Sequence, residues 1–293
     1  MKIVTARHGF MLKSARRRGP NRKMMIASGM RKYWVIFKIS WQKELEYRFN
    51  FFLGRLRNII VMLLLYYVWY TVTKKSGKFA GYSQIELITY VFGINILRAI
   101  IFGAQSKQVA SDINDGSFSA YLIMPINHFT RTFSAEFAQR SLSLVTALAE
   151  VILFSSFLKV NLIFQRDAAI LALFSLSIAL ASVLYFLFSY AMSLLAFWSR
   201  EAMGPRFLFD WFLEFASGAY FPIDILSPAL ASIFGILPFA SIMYLPMQIY
   251  LGRTGVRGAW QGIALQSVWI VVFFPMVLWV WRRGLNKYTG EGI

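Results

Sequence analysis

The sequence predicts an all-α polytopic membrane protein. It reads as six transmembrane helices, an N-terminal interfacial helix, and a re-entrant helical hairpin before the last span. Three observations predict this. Apolar and aromatic residues make up 58% of the chain, more than a soluble domain can bury, so much of that surface must face lipid or other spans. Charged residues are only 15%, which leaves long runs free of charge. Of the 31 Lys and Arg, 15 fall within residues 1–57, the asymmetry expected of a cytoplasmic N-terminus.

Residues 1–23 read as a basic, disordered cytoplasmic tail. No compact apolar run with a cleavage site follows it, so no cleavable signal peptide is expected. Arg16–Arg17–Arg18 and Arg22–Lys23 suit topology setting or anionic lipid better than nucleic acid. Residues 24–58 form an amphipathic interfacial helix: Trp34, Phe37, Trp41, Leu45 and Phe49 recur at spacings of three and four, with Lys38, Lys43, Glu44, Glu46 and Arg48 between them.

The domain proper is residues 59–281. Ile59 to Val72 is the first span, extendable from Phe51, and Lys74, Lys75 and Lys78 then mark a loop. Ile85 to Ala104 is the second span, with Arg98 inside it. A polar interruption, Gln105 to Thr130, follows. Val109, Ala110 and Ile113 would share one face of a short helix there. Gly116 sits where a C-cap would fall, and Pro125 bars a helix from running into the next span. A second brief turn holds Phe118, Tyr121 and Leu122.

Ser141 to Leu158 is the third span and contains Glu150. Ala168 to Trp198 is an apolar fourth span of 31 residues, longer than a hydrocarbon core of roughly 30 Å needs, so it must tilt, bend or project. The fifth span, about Phe207 to Phe221, carries Asp210 and Glu214. Residues 225–251 contain Pro228, Pro238 and Pro246, which break the stretch into pieces too short to cross and predict the re-entrant hairpin. Trp260 to Trp281 is the last span, and residues 282–293 form a cytoplasmic tail.

No nucleotide-binding loop, H-E-x-x-H, G-x-S-x-G or G-x-G-x-x-G occurs. The chain has no Cys, and its only histidines are His8 and His128. Neither a catalytic residue nor a metal site is expected. Four intramembrane charges stand out: Arg98, Glu150, Asp210 and Glu214. Each costs about 2.5–3.5 kcal/mol at a helix centre, so partners are expected. Matched depth points to Arg98 with Asp210 or Glu214. The pairs suit either a structural role or the lining of a transport path.

The Ile113–Asn114–Asp115–Gly116 turn with Leu122 and Met124–Pro125–Ile126–Asn127, the proline-broken stretch from Phe221–Pro222 to Pro246, the basic interfacial helix, and the tail Trp281 to Gly292 together resemble the permease subunits of ABC-2 type exporters. Within them the chain is most similar to a bacterial group described as ABC-2 family transporter proteins. The likeness covers residues 25–291; the extension 1–23 is no part of it. It implies a permease that couples ATP hydrolysis on two separate ATPase subunits to export. It also implies a second permease, identical or similar, in a bacterial inner membrane, with both termini cytoplasmic. ATP and Mg would sit on the ATPases, and this chain would hold no cofactor. A coupling helix would fall on residues 106–115, with Lys107, Val109, Ala110, Asp112, Ile113, Asp115 and Gly116 meeting the ATPase. Val109, Ala110 and Ile113 would dock in an apolar groove, and Lys107, Asp112 and Asp115 would form its polar rim. Drugs, peptides or lipids are the expected cargo classes. Two other readings stay open: a secondary transporter using the four charges as an ion relay, and a membrane enzyme of lipid or glycan chemistry.

Overall fold

A computed structural model describes residues 34–43, 46, 48–124, 127–199, 201 and 203–288. The expectations for residues 1–33, Glu44, Leu45, Pro125, Ile126 and the tail from Thr289 onward lie outside the described residues.

The described residues are almost entirely helical. Residues 34–43 are helical (α1). The main helices are α2 (Arg48–Thr73), α3 (Gln84–Ile101), α4 (Gln105–Asn114), α5 (Phe118–Leu122), α6 (His128–Phe157) and α7 (Ala168–Leu194). They are followed by α8 (Met203–Ala216), α9 (Pro228–Ile236), α10 (Tyr244–Tyr250) and α11 (Gly255–Leu285). Local chemistry sets several starts. Ser83 and Glu86 form a capping box at α3, Asn127 caps α6, and Asp167 caps α7.

Among the described residues five helices are long and apolar enough to cross a membrane: Phe51–Thr73, Gln84–Ile101, His128–Phe157, Ala168–Phe197 and Gly255–Leu285. The expected fifth span, α8, is 14 residues long, about 21 Å at 1.5 Å per residue. It stops at Ala216 because Gly218 turns the chain at φ +82°, and the Tyr90 hydroxyl donates to the Gly218 carbonyl at 2.6 Å.

One departure from an all-helical chain follows α2. Lys78–Phe79 and Tyr82–Ser83 pair as a two-stranded hairpin (β1, β2). Ala80 and Gly81 both have positive φ, as the tight turn of a two-residue loop requires. The lysines there predict a loop, and the structure adds the strand pairing.

The two ends of the bundle are distinguishable by what gathers there. At the β-hairpin end, the Tyr82 hydroxyl donates to Asp224 at 2.7 Å, and Arg253 reaches Gly81 O and Glu86, each at 3.1 Å. Residues 224 and 253 thus return to one place. Between them the chain dips alongside α11: the Trp269 indole donates to Ile236 O at 3.1 Å and the Gln266 amide to Ser241 O at 2.7 Å. Gly262 lets α10 approach, since a Cβ there would meet Leu245 Cδ1 at 2.4 Å. At the other end of the bundle lie α4, α5 and the C-terminal turn of α11.

Candidate functional site

The polar stretch between α3 and α6 builds a compact module. α4 starts at Ala104, which has no side-chain oxygen to cap it. Its free N–H groups are satisfied from other helices. Glu136 of α6 accepts from Ser106 N at 3.0 Å, and Gln139 from Ala104 N at 2.8 Å. A carboxylate at a helix N-terminus also complements the helix dipole. Gly103 allows this approach: a Cβ there would lie 1.8 Å from Glu136 Oε1. Glu136 is held in turn by Arg140 at 3.1 Å.

The same turn of α4 is tied to α7 and α8. Ser106 Oγ lies 2.7 Å from Ser189 Oγ, and Arg206 of α8 donates to Ser189 O at 2.8 Å. Lys107 bridges to Asp210 of α8 at 2.7 Å. Burial works to lower the Lys107 pKa, but Tyr185 and Asp210 outweigh it and hold the ammonium above its ordinary value.

The apolar side of α4 faces inward, contrary to the reading that it meets a partner. Val109, Ala110 and Ile113 are at most 2% exposed and pack on Phe186, Tyr190 and Leu194 of α7 and on Phe197. The reason is competition: an apolar stripe on a helix beside a bundle finds the bundle first. Asp112 is buried as well, accepting from Gln108 at 3.2 Å. It is therefore not a rim residue, and its burial pushes the carboxyl pKa up. Asp115 is exposed. The Ser117 hydroxyl and backbone N–H hold its carboxyl below the usual range, the N–H at 3.0 Å. Gly116, at φ +77°, takes the left-handed turn expected of a C-terminal glycine.

α5 closes the module. Phe118 is fully buried in a ring of aromatics: His128, Phe197, Trp281 and Tyr288 lie 4.8, 5.6, 5.7 and 5.4 Å away. The Tyr288 hydroxyl reaches Ser119 Oγ at 2.9 Å and Gly116 O at 3.2 Å. The next residues turn outward. Leu122, Ile123 and Met124 are 45%, 85% and 42% exposed, an apolar knob at the tip of a polar segment.

The four charges that the sequence singles out resolve into pairs. Arg98 meets Glu214 at 2.8 Å, while Asp210 goes to Lys107. Glu214 also takes the Tyr220 hydroxyl at 2.6 Å. Glu150 is held by Arg55, through Nε at 2.7 Å and also through Nη2, and by Asn95 at 3.1 Å. The sequence places Arg55 in the interfacial helix. The extension of the first span back to Phe51 takes in Arg55, and packing brings it to Glu150.

Beside these pairs lies a cavity of about 370 Å³ between α2, α3, α6 and α8. Arg55, Arg57, Arg98 and Lys107 line it, and Glu214 is the carboxylate in its wall. Among the described residues no cluster of three or more His, Asp or Glu could hold a metal ion.

A family model described as ABC-2 family transporter protein matches residues 59–292. No curated protein and no solved structure matches the chain.

Proposed function

The chain belongs to the ABC-2 family of transporter proteins, the membrane permease components of ABC transporters, and from that premise we propose that it is the six-span permease of an ATP-driven exporter. Two separate ABC ATPase subunits, carrying ATP and Mg, would drive it, and a second permease, identical or similar, would complete the pathway. The chain is a multi-pass membrane protein with several apolar helices long enough to span.

One observation carries the reading. The module of α4 and α5 is apolar on two sides, and only one of them is satisfied. Its inner side is locked into α7, α6 and α11. Its outer side presents Ile123 at 85% exposure between half-exposed Leu122 and Met124. An exposed apolar tip on a braced polar element is suited to a protein partner. The coupling contact is therefore assigned to Ile123 and its neighbours with Asp115 and Ser117, and not to Val109, Ala110 or Ile113. Lys107 and Gly116 keep supporting parts, one as a brace and one as a turn.

The bracing says how motion would spread. Displacing α4 must disturb Glu136 on α6, Ser189 on α7 and Asp210 on α8, since all three are bonded to its first turn. Both the nucleotide state and the permease state would then bias one packing arrangement. The ion-relay alternative is disfavoured, because Glu150, Asp210 and Glu214 each have their own cation.

Ile123→Asp is expected to abolish co-purification of the ATPase and the stimulation of its activity, while the permease accumulates normally. Normal co-purification with wild-type transport would move the docking site elsewhere.

For topology we propose six crossings, with α8 completed by residues 217–222, a re-entrant segment 225–251, and both termini in the cytoplasm of a bacterial inner membrane. The return of Asp224 and Arg253 to the β-hairpin end supports this. A thiol at Thr254 in this Cys-free chain should react with impermeant reagents added outside. Reaction only from the cytoplasm would refute the hairpin.

A further inference from the structure

The cavity between α2, α3, α6 and α8 carries more positive charge than its surroundings neutralise. Arg55, Arg98 and Lys107 each hold a carboxylate of their own: Glu150, Glu214 and Asp210. Arg57 does not. Its nearest acid is Glu214 at 3.6 Å, and that carboxylate already serves Arg98 at 2.8 Å and the Tyr220 hydroxyl at 2.6 Å. Among the described residues, one guanidinium at the cavity mouth is thus left without a full counter-charge.

The position makes that imbalance informative. Arg57 lies one turn after Gly54 on α2, and a Cβ on Gly54 would touch nothing within 4 Å, so the mouth beside it is open. Phe51, Ala99 and Phe102 add apolar wall to the cationic one. A volume of about 370 Å³ falls within the roughly 300–1,000 Å³ of small-molecule sites. A guanidinium fork is matched to two phosphate oxygens.

We propose that this cavity binds one phosphate group, held by Arg57 with Arg98 and Lys107 behind it. The apolar wall favours a phosphate carried on an amphiphile, with the headgroup in the cavity and the chain along the exposed face of α2, where Leu53, Leu56 and Ile60 point outward. The bland alternative is an Arg that simply snorkels to water and marks the cytoplasmic side.

The site is a property of the permease alone, so its failure would leave the coupling assignment standing. The test uses purified permease in nanodiscs of phosphatidylcholine with a rising fraction of phosphatidylglycerol, with bound lipid counted by native mass spectrometry. A second arm titrates inorganic phosphate into pure phosphatidylcholine discs and follows thermal stability. Wild type should retain one phosphatidylglycerol in preference to phosphatidylcholine. Arg57→Gln should weaken that preference by about tenfold, the equivalent of roughly one charge-assisted contact, and Arg57→Lys by less. Arg57 is 60% exposed, so these variants should fold, and unchanged melting in phosphatidylcholine checks it. A response to inorganic phosphate, lost in Arg57→Gln, supports the site with a soluble ligand. No preference for phosphatidylglycerol and no phosphate response, or responses equal in wild type and Arg57→Gln, would overturn the proposal.

Discussion

Glu150→Ala is expected to destabilise the permease by about 3–5 kcal/mol, the usual cost of stranding one partner of a buried ion pair. The Arg55 and Glu150 side chains are 9% and 10% exposed. Removing the carboxylate leaves the guanidinium with no acid, and takes the acceptor from the Asn95 amide at 3.1 Å. Apolar replacement of both partners, Arg55→Met with Glu150→Leu, should recover most of the loss, because a paired buried charge adds little net stability over a packed apolar pair. Denaturant titration in mixed micelles would measure both. A single variant within 1 kcal/mol of wild type would show that the pair is hydrated and not buried.

Ile113→Asp should prevent the permease from accumulating in a folded form, with a loss of at least about 4 kcal/mol. Ile113 is fully buried against Phe186, Tyr190 and Leu194. A carboxylate there forfeits the packing and finds no partner. The contrast with Ile123→Asp separates core from docking surface within ten residues of chain. If Ile113→Asp folded like wild type and lost only the ATPase, the inward orientation of α4 would be wrong.

Much of this architecture was legible in the sequence, for reasons that differ by element. Long apolar runs announce spans directly, so α3, α7 and α11 fall close to their expected ranges, while α2 starts at Arg48 and takes in residues expected of the interfacial helix. The helix α4 and the brief turn at Phe118 also follow from spacing and from Gly116. Helix α6 begins at His128 rather than Ser141, because its first turns are polar and pack on α4 instead of lipid. Hydropathy cannot see such a segment.

The direction of the α4 stripe was not legible either. Val109, Ala110 and Ile113 satisfy the same pattern whether they meet a partner or their own bundle, and only tertiary packing decides. Pairing shows a similar limit. Depth matched Arg98 to α8 but could not choose between residues one turn apart, and the choice went to Glu214 because Lys107 takes Asp210. The β-hairpin turns on a positive φ at Ala80, which no local preference of alanine suggests.

The seat of Phe118 has a consequence for the order in which the protein can be finished. The occupant and its walls come from residues 118, 128 and 197, and from Trp281 and Tyr288 near the far end of the described chain. A ribosome making the chain from the N-terminus delivers the first three long before the last two. Until Tyr288 has emerged and α11 is inserted, that aromatic seat lacks two of its sides and α5 lacks its bond to Tyr288. The α5 seat is therefore among the last regions to mature, and a nascent chain cannot display it in finished form.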